Sequence, residues 1–164
     1  MYKLLLLLAL VPAVMMQRAD HIRDVHENWT QVPVRPCTGS ERPAPRAVRL
    51  EHCPSLPCHL RRGHDANMVM DFTNNHAASN LNTHVEATAL GVTGPYNLPD
   101  DRAAACNWMV DARCPLSVGE DLIYHLSMPV TAIYPLVSVA IEIELRSDAG
   151  VHACFVIDAV VTAN

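Results

Sequence analysis

Val137-Ser-Val-Ala-Ile-Glu-Ile-Glu-Leu145 places an apolar side chain at every second position: Val137, Val139, Ile141, Ile143 and Leu145. Ser138, Ala140, Glu142 and Glu144 lie between them. Successive side chains of a strand point to opposite faces, so this run predicts a half-buried strand with one face on a core. The same period recurs on both sides of it. Ala153, Phe155, Ile157, Ala159 and Val161 alternate with Cys154, Val156, Asp158 and Val160. Upstream, Met68, Met70 and Phe72 oppose Asn67, Val69 and Asp71, and Val85, Ala87 and Ala89 oppose His84, Glu86 and Thr88. Leu122, Tyr124, Leu126 and Met128 form another set, which Pro129 is expected to end. Turn material separates the segments at Gly94-Pro95, 97–101, 117–120 and 147–150. No segment has convincing helical spacing. The pattern predicts an all-β sandwich or barrel.

The chain opens Met1-Tyr2-Lys3 and then runs apolar from Leu4 to Met16, with Pro12 the one interruption. One basic residue, a short apolar core and small residues after it are the parts of a signal peptide. The expected division is a leader over 1–19, cleaved between 13 and 19, an irregular segment over 20–31, and a β-sandwich domain over 32–164. Residues 38–48 read as a loop. Export fits the six cysteines, Cys37, Cys53, Cys58, Cys106, Cys114 and Cys154, because disulfides persist in oxidising compartments. Counting alone leaves fifteen pairings. Spacing allows local clips at Cys53–Cys58 and Cys106–Cys114, which leaves Cys37 and Cys154 to join the two ends of the domain. Asn28-Trp29-Thr30 is a glycosylation sequon with Asn28 as acceptor.

Cleavage after Ala19 removes Lys3 and Arg18 from the 12 basic residues and none of the 17 acidic ones, for a net charge of −7. Lys3 is the only lysine. A lysine-free acidic domain argues against nucleic acid as a partner. Nine histidines invite a metal or catalytic site, yet His84 and His125 fall on outward parities, and His21 and His26 lie in the irregular segment. Nucleophile elbow, zinc helix and phosphate loop are all missing, and Asp100-Asp101 reads as a solvated turn. No catalytic residue, metal or cofactor is expected. The histidines remain candidates for tuning binding between neutral and acidic compartments. Met68, Met70 and Met128, on inward parities beside Phe72 and Tyr124, offer adaptable surface for a variable apolar ligand.

Six further motifs, in order and compatibly spaced, carry a resemblance. They are Cys53-Pro-Ser-Leu-Pro-Cys58-His-Leu-Arg-Arg-Gly63, Met68-Val-Met-Asp-Phe72-Thr, Leu90-Gly-Val-Thr-Gly-Pro-Tyr96-Asn-Leu-Pro99, Cys114-Pro-Leu-Ser-Val-Gly, Met128-Pro-Val130-Thr-Ala-Ile-Tyr134-Pro and Ala153-Cys154-Phe155-Val-Ile157. From about Val32 to Val161 the chain resembles the myeloid-differentiation-factor-related lipid-recognition (ML) family, in particular its Niemann-Pick type C sterol-transfer branch and the arthropod relatives. The resemblance implies an immunoglobulin-like two-sheet sandwich, an apolar cavity between the sheets, and no catalysis. It implies the disulfides Cys37–Cys154, Cys53–Cys58 and Cys106–Cys114. It also implies a cavity mouth at Tyr96, Val130 and Tyr134, with Ile143 and Phe155 deeper. Ile143 stands where the family carries tryptophan, and Tyr96 where phenylalanine is usual, so the cavity wall is reshaped. The expected function is a secreted or lysosomal carrier of a sterol or fatty-acyl lipid that delivers to a membrane or membrane-protein acceptor. A monomer is expected. The alternative is an innate-immune module that presents microbial lipid to a receptor.

Overall fold

The computed structural model of the protein describes residues 29–39 and 41–163. The expected leader, most of the segment 20–31 and the acceptor Asn28 of the sequon lie outside these residues. No helix among the described residues is long and apolar enough to cross a membrane.

Among the described residues, eleven strands build two sheets. In chain order they are β1 (Trp29–Gln31), β2 (Arg35–Pro36), β3 (Ala47–Glu51), β4 (Cys58–Arg61), β5 (His64–Thr73), β6 (Asn82–Ala89), β7 (Val92–Pro95), β8 (Met109–Val110), β9 (Asp121–Val130), β10 (Ser138–Ser147) and β11 (Gly150–Thr162). The first sheet runs β1-β3-β5-β9-β8, and the second β2-β11-β10-β6-β7. Strand β4 also pairs with β11, in parallel, from Ala159↔Cys58 to Thr162↔Arg61. A four-residue helix α1 (Asp100–Ala103) and a 3-10 turn (105–108) connect β7 to β8. The expected all-β sandwich with three disulfides is the observed architecture: Cys37–Cys154, Cys53–Cys58 and Cys106–Cys114 are bridged.

The alternating runs form β5, β6, β9, β10 and β11, and their inward sets make the core. Met68, Met70 and Phe72 on β5 are at most 4% exposed, as are Ile143 and Leu145 on β10. Several elements depart from expectation, each for a physical reason. Residues 29–31 pair with β3, so β structure begins inside the segment read as irregular; three residues are too few to show a period. Ala47 and Val48 belong to β3 and not to a loop. Gly94-Pro95 closes strand β7, an exposed edge that needs no apolar alternation. Pro129 does not end β9, which continues to Val130. Strand β8 covers only Ile123 and Tyr124, so β9 is an edge strand at Pro129, where proline is tolerated.

Outward faces are not uniformly wet. His125 lies between Trp29 and Trp108, with ring centroids 5.6 and 5.8 Å away, so it is half-buried where solvent exposure was expected. Val69, its partner across β5 and β9, is 1% exposed. On the second sheet Cys37, Arg42 and Pro43 lie against β10 and β11. Cys37 bonds Cys154, and the Cys154 amide donates to the Pro43 carbonyl at 2.8 Å. The Arg42 guanidinium donates to Glu144 (2.7 and 2.9 Å) and to Glu142. The second oxygen of Glu144 sits 2.5 Å from Arg146. Its carboxylate is buried, held by two cations where a bare buried charge would be costly.

Candidate functional site

Strand register sorts the core into two halves. One half, the solid one, holds the rows Val48–Met70–Tyr124 and Phe72–Leu122 of the first sheet, all at most 3% exposed and none lining the space found in the other half. In the other, the rows Leu50–Met68–Leu126 and Ala66–Met128 face Ile143–Phe155 and Ile141–Ile157 of the second sheet. Cys58, Leu60 and Ala159 complete the wall, and a residual space lies among these side chains. Every lining residue is apolar or a bridged cysteine. The space is about 20 Å³, enough for one water by volume but without the polar partners a buried water needs.

The candidate residues fall in three places. Met68, Ile143 and Phe155 line this space. Met70, Phe72 and Tyr124 lie in the solid half, where the Tyr124 hydroxyl meets Thr83 Oγ1 at 2.5 Å. Burial pushes that phenol up to about 12. Tyr96, Val130 and Tyr134 sit at the end of β9: the two tyrosine rings are 6.0 Å apart, and Val130 is buried. Lining residues not singled out from sequence include Leu126, Ile141, Ile157 and Ala159, all on inward parities of recognised strands. Leu50 and Leu60 were hidden in strands too short to read.

Two tyrosines latch one seam of the sandwich. Thr83 belongs to β6 and Tyr124 to β9, so their contact ties the second sheet to the first. Tyr96, just past β7, donates its hydroxyl to the Pro129 carbonyl of β9 at 2.5 Å, a second tie across the same seam. Burial, with Tyr134 adding to it, holds the Tyr96 phenol far above its ordinary value, so the hydroxyl stays a donor. Arg62 donates to the Tyr134 carbonyl and anchors the loop between β9 and β10.

Around this rim stand the most exposed large apolar side chains among the described residues: Leu90, Val92, Ile133 and Leu136, with Val118 elsewhere. Leu90 is 87% exposed at the β6–β7 turn and holds φ at 52°. Asparagine or glycine is favoured there, and leucine carries a conformational cost.

At the same end of the sandwich, toward β3 and β4, a larger polar vestibule of about 520 Å³ opens to solvent. It shares Leu50, Cys58, Leu60 and Ala66 with the apolar space, and Val130 also lines it.

The ML domain family model matches residues 31–161. "NPC intracellular cholesterol transporter 2" of Bos taurus is 27% identical over 103 residues, 63% of this chain and 66% of that protein. The matched stretch thus spans just under two thirds of the bovine protein's length. "NPC intracellular cholesterol transporter 2 homolog a" of Drosophila melanogaster is 30% identical over 105 residues, 63% of this chain and 69% of its own. The crystal structure of a Niemann-Pick type C2 protein from Japanese carpenter ant superimposes with a TM-score of 0.68 at 21% identity. It covers 79% of this chain and 99% of the ant chain, and so shares the fold.

Proposed function

The chain belongs to the ML-domain family, and from that premise we propose that it is a non-catalytic carrier of an apolar lipid, a sterol or an acyl chain, held between its two sheets. The observation that carries this reading is the wholly apolar space framed by Met68, Met128, Ile143, Phe155 and Ile157. A lipid there leaves no polar wall atom without a partner. The relatives named as cholesterol transporters support the ligand class.

The empty space is far below the roughly 300–1,000 Å³ of ordinary ligand pockets. Uptake therefore requires the sheets to part in the loosely filled half. Burying an apolar ligand area of about 400 Å² supplies on the order of 10 kcal/mol before ordering costs. Methionines 68 and 128 yield readily, because their unbranched side chains repack at little cost. The solid half, with Tyr124 on Thr83, acts as the hinge.

Delivery goes through the rim. Leu90, Val92, Ile133 and Leu136 offer apolar contact to a bilayer or membrane protein beside the Tyr96–Pro129 latch, and a domain poor in basic groups meets membranes by insertion more than by charge. Its setting is an extracellular or endosomal–lysosomal lumen. The test is mass spectrometry of lipid extracted from natively purified protein, paired with displacement of a fluorescent sterol and a fluorescent fatty acid. We expect a stoichiometric apolar lipid and displacement; an empty extract with no displacement would overturn the carrier reading.

A further inference from the structure

Three of the nine histidines converge on the vestibule between β3 and β4. Its titratable wall consists of Glu51 and His52 at the end of β3, His59 and Arg61 on β4, and His64 and Asp65 at the start of β5, with Asn67 the other polar group. Val130, from β9, adds no charge. The acids are already engaged: Glu51 accepts from Asn67 at 2.7 Å and lies 3.5 Å from His52 Nε2, and Asp65 accepts from Ser127 at 2.9 Å. Among the described residues the side chains of His59, Arg61 and His64 have no such partner. Arg62 is turned away to Tyr134.

With neutral imidazoles the wall sums to −1: Arg61 against Glu51 and Asp65. With all three protonated it sums to +2. Imidazoles as a class take up a proton across the interval that separates neutral from acidic compartments. The sign of the vestibule thus depends on how many of the three carry a proton. Its volume of about 520 Å³ suits a head group, and its floor is the wall of the apolar space.

We propose that this vestibule is an acid-gated subsite for the anionic head group of an amphiphile whose chain lies between the sheets. This rests on the carrier reading and specifies its ligand: a carboxylate, sulfate or phosphate ester on an alkyl chain. The head is held in an acidic compartment and released at neutral pH. The charged head faces open water at the β3–β4 seam, so it need not be dehydrated fully, and only the chain enters the dry interior.

The experiment uses submicellar dodecanesulfonate, anionic at every pH tested, so that any pH response belongs to the protein; dodecanol and inorganic sulfate are the controls. We expect dodecanesulfonate to bind at least about tenfold more tightly at pH 5 than at pH 7, while dodecanol changes less than about twofold. The variant carrying His52→Gln, His59→Gln and His64→Gln, all exposed positions, should keep the wild-type melting temperature and dodecanol affinity while its sulfonate profile goes flat. Equal sulfonate affinity at the two pH values, or a profile that survives the triple variant, overturns the subsite. Inorganic sulfate competing as well as the sulfonate reduces it to a free-anion site and overturns the amphiphile. Failure of both dodecanol and dodecanesulfonate to bind at either pH overturns the carrier reading beneath it.

Discussion

Two polar side chains, one half-buried and one buried, set opposite behaviours at the two ends of the sandwich. At the rim, Tyr96→Phe deletes the hydroxyl that ties β7 to Pro129 and leaves that carbonyl half-exposed. We expect a stability loss of about 1 kcal/mol and faster lipid exchange, read by chemical denaturation and stopped-flow transfer to vesicles. Unchanged exchange would show that the tie does not limit opening. At the far end His152, 1% exposed, bonds Asn74 through Nδ1 (2.5 Å) and Ser147 through Nε2 (2.7 Å). Burial, then the neighbouring His76, lowers its affinity for a proton. A base so depressed contributes stability that is complete above the ordinary histidine value of about 6.5 and declines as pH falls from there toward its folded value. The melting temperature should therefore fall on acidification from pH 7.5 to 5. His152→Gln should flatten that fall, and an identical slope in the variant would assign the effect to other groups.

Among the elements, the contacts of Cys37 and Arg42 with β10 and β11 show what the strand pattern could and could not say. Glu144 reads as solvent-facing because it alternates with Ile143 and Leu145; only a distant loop, brought over β10 by Cys37 and Arg42, buries it. Arg42→Met should cost about 1–3 kcal/mol by leaving Glu144 with Arg146 alone. Adding Glu144→Met should recover most of that, because an apolar pair replaces a desolvated ionic one. Denaturant midpoints of the single and double variants measure both. The long strands were legible because each alternates between core and outer face over five or more residues. Strands β3 and β4 were not, since Val48–Leu50 and Cys58–Leu60 show a single alternation each. The candidate site divides likewise. Met68, Ile143 and Phe155 lie on readable inward parities, but parity cannot distinguish the solid half holding Met70 and Tyr124 from the half with residual space. That distinction depends on which rows face each other across the sheets. The histidine vestibule was beyond reach because its groups come from three short or irregular segments.

For the molecule as a whole, the three disulfides differ in what they constrain. Cys37–Cys154 spans 117 residues and Cys53–Cys58 only 5. In the chain-entropy account these stabilise by about 5 and about 2 kcal/mol respectively. Replacing Cys37 and Cys154 by serine should therefore lower the unfolding free energy more than twice as far as replacing the Cys53–Cys58 pair, read by urea melts of each double variant. The reverse order would show that the short clip holds the β3–β4 seam through native contacts. The residual space of about 20 Å³ also has a volumetric meaning. Hydrostatic pressure favours whichever state eliminates more void. The empty carrier has little void to surrender between its sheets, whereas a carrier pushed open around an imperfectly fitting lipid has more. Compression should thus expel cargo well before it unfolds the chain, making moderate pressure a gentle way to strip the protein for reloading.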